Sequence, residues 1–179
     1  LELGAIRASN GGVINVGNGG AAVYYSTLSG SGTDLPTIRQ LIYNGSNGGA
    51  WNGTNSITSS LLSASTPRFA IGYADIDASF ITNFLDLTFA PEAQAVVFRY
   101  TLRGDADLDG AVGFSDLLVI AQHYDNTAAR EWYEGDFNYS QTVTFDDLLL
   151  LSQNYGQTLL ANGQLATDAN VATRFSADW

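Results

Sequence analysis

The feature that most constrains this chain is a repeat in its second half. Residues 104–124 read GDADLDGAVGFSDLLVIAQHY, and residues 135–155, which begin 31 positions later, read GDFNYSQTVTFDDLLLLSQNY. Asp105 corresponds to Asp136, and Tyr124 corresponds to Tyr155. A self-match of this density indicates a duplicated structural unit, which has to be recognised before the rest of the fold is considered.

The first copy has the ligand spacing of a calcium-binding loop. Such a loop of about twelve residues supplies hard oxygen ligands from positions 1, 3, 5, 7, 9 and 12, with glycine at the sharp turn at position 6. Gly110 stands at position 6, and Gly113 at position 9 leaves that place to water. The predicted ligands are four carboxylates and the carbonyl at position 7, from Asp105, Asp107, Asp109, Asp116 and Ala111. An Asp-rich surface turn is the alternative.

The second copy is a poorer version of the same loop. Its predicted ligands are Asp136, Asn138, Ser140, Thr142 and Asp147. Only two formal negative charges would face the ion, against four in the first copy, so we expect weaker calcium binding. Gln141 takes the glycine position, where a left-handed backbone costs a residue with a Cβ about 1–2 kcal/mol. A vestigial loop that is kept for its fold is the alternative.

Two loops of this kind, each leading into one helix, resemble the type I dockerin domain with its paired EF-hand-like calcium loops. The resemblance covers residues 104–155. More narrowly, this stretch is similar to dockerin-like C-terminal regions of large secreted proteins of environmental bacteria. It implies two antiparallel helices, two Ca²⁺ ions and a cohesin-like receptor. Cellulosomal dockerins usually present small hydroxyl residues at loop positions 10 and 11. This chain has Phe114-Ser115 and Phe145-Asp146 there.

The preceding residues predict a β-rich region, which makes the whole chain α+β. Short apolar runs separated by Asn-Gly turns favour a sandwich, a jelly roll or the end of a β-solenoid. We predict strands over 2–9, 12–17, 21–28, 68–74, 81–89 and 94–102. We predict a helix over 34–43 with Asp34 as its cap, a loop over 44–54, and a short helix from Asn55 or Ser56 to Leu62.

The chain therefore divides into a β-rich domain over 1–102, a dockerin-like domain over 103–156 and an interacting tail over 157–179. The segment before the repeat is also similar to the one that precedes the dockerin-like module in the same secreted proteins. That resemblance implies one unit without a flexible linker between Leu102 and Gly104. The tail is predicted to be a strand or short helix lying on a neighbouring chain.

Composition narrows the class of partner. Of 18 acidic residues, ten lie within 104–156 beside one arginine, so the net charge of −11 belongs mainly to the repeat. A chain without a basic patch is not expected to bind nucleic acid. The sequence contains no run of about eighteen apolar residues, and we therefore predict no membrane span. The chain has no Met, so we expect Leu1 to follow a processing or trimming site. Calcium loops of this kind fill readily outside cells, and we therefore expect an extracellular or cell-surface location.

Other candidate sites are weak. His123 is the only histidine, and we expect it to be a surface or packing residue. Asp75, Asp77 and Asp86 could form a carboxylate pair for glycoside hydrolysis, but solvated turns explain them better. We therefore predict no enzyme activity. Asn44 and Asn52 each begin an Asn-x-Ser/Thr tripeptide, the acceptor pattern for N-glycosylation. A glycan attached to either residue is therefore a hypothesis. Asn138 also begins such a tripeptide, but it is expected to face the ion.

Leu148 to Leu151 form four consecutive leucines, which wrap most of a helix. Leu148, Leu151 and Tyr155 are expected to face the partner helix, and the remainder needs the β-domain or another subunit. The sequence thus favours a non-catalytic, calcium-stabilised extracellular protein that self-assembles into a surface layer or filament with other copies of itself. The alternative is a dockerin-type module that anchors a larger secreted protein to a cohesin-like receptor.

Overall fold

The computed structural model describes residues 10–24, 35–77, 79, 81, 83–85, 87–90 and 94–166. The predicted first strand, the capping role of Asp34, Asp86 and the end of the tail lie outside those residues. The strands are β1 Val13–Asn15, β2 Gly20–Tyr24, β3 Ser56–Thr58, β4 Phe69–Asp75, β5 Asn83–Phe84, β6 Leu87–Thr88 and β7 Ala95–Leu102. The α-helices are α1 Leu35–Ser46, α2 Phe114–His123 and α3 Phe145–Asn154. The mixed α+β class is confirmed, and the sandwich, jelly-roll and solenoid alternatives remain predictions.

Strand β7 is the centre of the β-region and leads directly into the repeat. It lies between β2 and β4 in an antiparallel sheet of order β2-β7-β4, and all eight of its residues are buried. Phe69 of β4 pairs with Leu102, and Asp75 pairs with Val96. The first loop begins at Asp105, three residues after β7 ends, so the sheet determines where that loop starts.

Two predicted elements of this region are wrong. The predicted helix from Asn55 or Ser56 to Leu62 is instead β3, which pairs in parallel with β1, and Ile57 is fully buried there. The predicted strand over 81–89 is instead a hairpin of β5 and β6, because Leu85 turns the chain with a φ of 53°. Long-range pairing with β1 decided the first case and a tight turn decided the second, and a local apolar pattern encodes neither.

Helix α1 is confirmed, but it ends three residues later than expected, at Ser46. Its buried face packs against β3 and β4 through Ile38, Leu41 and Ile42. The first residues of the predicted 44–54 loop therefore belong to the last turn of the helix. A short 3-10 turn over residues 47–49 follows directly.

The two copies of the repeat have the same backbone. Helices α2 and α3 are both ten residues long and begin 31 positions apart. The amide of Asp125, after α2, donates to the carbonyl of Val143 before α3 at 2.9 Å. The amide of Gly156, after α3, donates to the carbonyl of Val112 before α2 at 2.8 Å. Each helix thus ends where the other begins, so the pair is antiparallel, as the resemblance implies.

The β-region and the repeat share one hydrophobic core. Trp132 lies in a 3-10 turn between the two copies, is fully buried, and contacts the rings of Phe137 and Tyr139. The hydroxyl of Tyr139 donates to the carbonyl of Ile71 in β4 at 3.0 Å. No linker separates the regions at Leu102 to Gly104, because the amide of Arg103 donates to the carbonyl of Arg68.

The described part of the tail packs on the same chain. Thr158 forms an antiparallel bridge with Ala111 of the first loop, and Leu159 forms one with Leu165. The side-chain amide of Asn18 donates to the carbonyl of Ala161 at 2.7 Å. Contact of the tail with a neighbouring chain stays a prediction. Within the described part of the chain, no helix is both long enough and apolar enough to cross a membrane.

Candidate metal centre

Three carboxylates of the first loop converge on one point. Oxygen atoms of Asp105, Asp107 and Asp109 all lie within 4.8 Å of one another, and this group could hold a metal ion. The loop turns through Leu108 with a φ of 58° and Gly110 with a φ of 92°. These left-handed turns bring alternate side chains to the same side of the loop. Carboxylate oxygens are hard ligands, which suit hard divalent cations.

Asp105 is the most deeply buried carboxyl group of the three. Its carboxyl group is fully buried, and one oxygen accepts hydrogen bonds from the amide of Gly110 at 3.1 Å and from the hydroxyl of Thr101. The other oxygen, Oδ1, is buried and has no hydrogen-bond partner. An unpaired buried carboxylate oxygen is costly. Burial, followed by the charges of Asp116 and Asp109, raises the pKa of Asp105 well above its usual range despite the Thr101 hydrogen bond. A bound cation would remove that cost, so the residues fit a metal.

The two other predicted ligands of this loop lie beside the group. Asp116 closes the loop, because its two oxygens accept the amides of Ala106 and Gly113, each at 2.7 Å. A carboxylate oxygen has two acceptor positions, so these bonds leave capacity for a metal. Burial raises the pKa of Asp116 to about 6.

The carbonyl of Ala111 is directed away from the tail. The amide of Leu159 donates to the carbonyl of Gly110, and the amide of Val112 donates to the carbonyl of Gln157. Ala111 and Thr158, which lie between these bonds, are therefore a non-hydrogen-bonded pair. The polar backbone groups of Ala111 face the loop, where its amide donates to Oδ1 of Asp109 at 2.7 Å. This is the orientation that a position-7 ligand needs.

Three residues outside the loop support it, and sequence reasoning missed all of them. Thr101 of β7 donates to Asp105, and the ring nitrogen of Trp132 donates to the carbonyl of Asp105 at 2.7 Å. Arg99 of β7 is also buried and donates to the carbonyl of Leu108 at 3.0 Å. Arg99 forms no ion pair with the three carboxylates among the described residues, but its charge lowers the pKa of Asp105 and Asp109 and so offsets part of the effect of their burial. In the sequence, the one indication of this role is that Arg99 is the only charged residue of the predicted strand that becomes β7.

The second loop repeats the backbone but satisfies its own polar groups. Both oxygens of Asp136 accept backbone amides, from Ser140 at 2.9 Å and from Gln141 at 2.8 Å. The hydroxyl of Ser140 donates to the carbonyl of Thr142 at 3.1 Å, which is the position-7 oxygen. Oδ1 of Asn138 accepts the Ser140 amide. The predicted ligands are near one another, but hydrogen bonds within the loop already occupy several of them.

Burial raises the carboxyl pKa values of the second loop as well. The pKa of Asp136 rises to about 7, where desolvation exceeds the effect of its backbone hydrogen bonds. The pKa of Asp147 rises for the same first reason, although it accepts amides from Phe137, Asn138 and Thr144. Without a cation, both loops therefore hold carboxyl groups that bind protons more readily than exposed ones do.

The remaining candidate residues do not form a site with these loops. His123 is half-buried, with Nδ1 3.0 Å from the carbonyl of Val119 and Nε2 3.9 Å from Glu134. Asn44 lies in the last turn of α1, and its side-chain amide donates to the carbonyl of Asn55. Asn52 is exposed and accepts a hydrogen bond from Asn47. Glycosylation of Asn44 and Asn52 stays a prediction.

Compared with protein-family models, with curated proteins and with solved structures, the chain matches none of them. The dockerin-like assignment therefore depends on the repeat and its spacing. The geometry above is read from this chain alone.

Proposed function

We propose that this chain is a calcium-stabilised, non-catalytic structural subunit that assembles with other copies of itself outside the cell. Ca²⁺ is the proposed ion because the donor set is all oxygen, with four carboxylates and a backbone carbonyl at the spacing of a calcium loop. Extracellular calcium modules bind at about 0.1–1 mM, which such a loop can reach. The second loop is the weaker proposed calcium site.

One observation carries the assembly part of the proposal: each copy of the repeat exposes the same apolar side chains. Phe114 and Phe145, at the first position of each helix, are 70% and 63% exposed. Leu118 and Leu149, four residues later, are 47% and 45% exposed. An exposed pair of large apolar groups at i and i+4 forms a continuous apolar surface on a helix.

The antiparallel pair adds a tyrosine to each surface. Tyr155 lies at the end of α3, beside the start of α2, and Tyr124 lies at the end of α2, beside the start of α3. Both are about half exposed. The expectation that Tyr155 packs against the partner helix stays a prediction, whereas Leu151 is buried as expected. We call Phe114, Leu118 and Tyr155 the first patch, and Phe145, Leu149 and Tyr124 the second patch.

Two equivalent patches on one chain favour growth over a closed dimer. If either patch can pair with a patch on another copy, every added chain presents a free patch, and growth continues. Calcium would support this assembly by holding the loop that precedes each patch. The alternative, docking to a cohesin-like receptor, would use the same surfaces.

Sedimentation velocity tests the proposal with patch variants. In calcium, the wild-type chain is expected to form large polymers that a chelator disperses. Phe114→Ser/Leu118→Ser leaves only the second patch, so growth should stop at dimers. Adding Phe145→Ser and Leu149→Ser should give monomers. Leu87→Ser changes an exposed leucine of β6 and should leave the polymers unchanged.

A compact wild-type monomer in calcium at all concentrations would contradict self-assembly. It would favour the receptor alternative, which the patch variants could then test by loss of receptor binding. Polymers that survive the loss of both patches would place the contact elsewhere on the chain.

A further inference from the structure

A polar hollow of about 500 Å³ lies at the end of α1, outside the repeat. It is lined by side chains of Tyr43, Asn44, Asn47, Asn52 and Thr54 and by the backbone of two glycines. Tyr43 is 56% exposed, so much of its ring is open to solvent. None of the residues that line the hollow is charged.

The backbone around the hollow is strained. Asn47, Trp51 and Asn55 have φ values of 40°, 56° and 50°, in the left-handed region. For a residue as bulky as Trp51 this conformation is rare. Such residues cost about 1–3 kcal/mol each and are concentrated at functional sites, where the surrounding structure maintains them.

The backbone around the hollow is closely packed against neighbouring segments. A Cβ on Gly53 would lie 1.7 Å from the carbonyl oxygen of Asn44, and one on Gly45 would lie 2.2 Å from that of Ile57. Trp51 is buried, with its ring 6.2 Å from that of Tyr139. The loop is therefore fixed to α1, β3 and the core rather than free to rearrange.

The side-chain amide groups of the three asparagines at the hollow are held by hydrogen bonds. The side-chain amide of Asn47 donates to Oδ1 of Asn52 at 2.8 Å, and that of Gln40 donates to Oδ1 of Asn44 at 2.8 Å. A primary amide has two donor hydrogens and two acceptor positions, so each keeps further hydrogen-bonding capacity. The hollow thus offers fixed donors and acceptors beside an open aromatic face.

We propose that this hollow binds a sugar unit of a neutral glycan. Each sugar hydroxyl both donates and accepts, which matches a side-chain amide, and the C–H face of a pyranose packs on an aromatic ring. The absence of charged lining groups selects against acidic sugars and phosphates. A concave surface with a few fixed polar groups is the usual form of a small-molecule site. This binding does not depend on the calcium loops or on self-assembly.

Titration of the full chain in chelator, where no polymers are expected, with cellohexaose, maltohexaose and mannohexaose, followed by NMR of the side-chain amides, tests the proposal. At least one of them is expected to bind with a dissociation constant of about 1 mM and to shift the Asn44, Asn47 and Asn52 amide resonances. Tyr43→Ala and Asn52→Ala should each weaken that binding about tenfold. Hexagalacturonic acid, an acidic control, should not bind.

Tyr24→Ala is the matched variant, since it removes a half-exposed tyrosine from β2, outside the hollow and both patches, and should not change the affinity. Thermal unfolding checks that Tyr43→Ala and Asn52→Ala remain folded; if either unfolds, the wild-type amide shifts alone decide. The proposal is overturned if none of the neutral hexasaccharides shifts the three amides, if only the acidic one binds, or if folded Tyr43→Ala binds as the wild type does.

Discussion

The two loops of the repeat have the same backbone conformation. They differ in whether hydrogen bonds within the loop satisfy the oxygens of their first carboxylate. Leu108 and Tyr139, at position 4, have φ values of 58° and 64°, and Gly110 and Gln141, at position 6, have 92° and 65°. In the first loop, Oδ1 of Asp105 is buried without a partner. In the second loop both oxygens of the equivalent Asp136 accept hydrogen bonds. A cation would therefore satisfy an oxygen that the first loop leaves without a hydrogen bond, whereas the equivalent carboxylate of the second loop is satisfied by the loop itself.

This difference teaches how a duplicated loop can keep its fold while its chemistry changes. Replacing the carboxylates at positions 3 and 5 by Asn138 and Ser140 lowered the charge and supplied a hydroxyl that bonds to the position-7 carbonyl. The conformation of the second loop is then stabilised by hydrogen bonds within the chain. The first loop has four carboxylates, of which burial raises the pKa of Asp105 and Asp116, and a bound cation would offset that cost.

Calcium removal should have the largest effect, and the first loop should account for most of it. At a calcium concentration about 100 times the dissociation constant, which is about 10 mM for a constant of about 0.1 mM, bound calcium contributes about 2.7 kcal/mol, or about 5–11 °C in Tm for a chain of this size. Asp107→Asn/Asp109→Asn keeps the local acceptors but removes two charges, and should abolish most of that shift in thermal unfolding.

Asn138→Asp/Ser140→Asp provides the complementary variant. It restores carboxylates to the second loop and should increase its calcium affinity, as measured by isothermal titration calorimetry. If Asp107→Asn/Asp109→Asn retains the full calcium-dependent Tm shift, the second loop is the tighter site and the comparison is reversed.

Gly72→Ala should be the next most damaging change, because it disturbs the support of the first loop alone. A Cβ on Gly72 would lie 2.5 Å from Leu108, 2.7 Å from the ring nitrogen of Trp132 and 2.9 Å from Thr101. Overpacking of this kind costs about 1–3 kcal/mol. Urea unfolding should show that loss, and calcium titration should show weaker binding to the first loop. Gly113→Ala, where a Cβ meets nothing within 4 Å, is the neutral control.

The pH dependence of stability should have opposite signs with and without calcium. In the calcium-free chain the pKa of Asp136 is about 7 and that of Asp116 about 6, above their unfolded-state values of about 4. Between those limits the folded chain binds more protons, so stability falls as pH rises.

Chemical unfolding at about pH 5 and about pH 7.5 should therefore show the calcium-free chain more stable at the lower pH, by at least about 1.4 kcal/mol. With saturating calcium the order should reverse, because the ligands must be deprotonated to bind. Equal slopes in both conditions would argue against carboxylate ligation.

The smallest expected effect concerns position 6. Gln141→Gly should stabilise the chain by about 0.5–1 kcal/mol, because relief of the left-handed strain exceeds the extra backbone entropy of glycine. Gly110→Ala should cost about 1 kcal/mol for the opposite reason, since the nearest atom to its Cβ, in Arg99, is 3.5 Å away. Thermal unfolding in chelator measures both, and the two shifts should have opposite signs.

Sequence reasoning succeeded where the relevant interactions are local. The twelve-residue spacing predicted the convergence of Asp105, Asp107 and Asp109, because a loop with set turns brings alternate residues together. It also predicted α1 and the two helices of the repeat. It did not predict β3 or the hairpin of β5 and β6, whose conformations depend on strands or turns that a local pattern does not identify.

The sequence by itself determined that one loop conformation occurs twice, since turn residues and helix starts are encoded within a few positions of one another. Only the tertiary structure showed that Oδ1 of Asp105 is buried without a hydrogen-bond partner, whereas both oxygens of Asp136 accept hydrogen bonds. That outcome rests on burial under β7, on Thr101, and on Trp132 reaching Asp105 from the segment between the copies. Desolvation of a carboxylate comes from residues distant in the chain that cover it, and spacing within a motif carries no information about that cover.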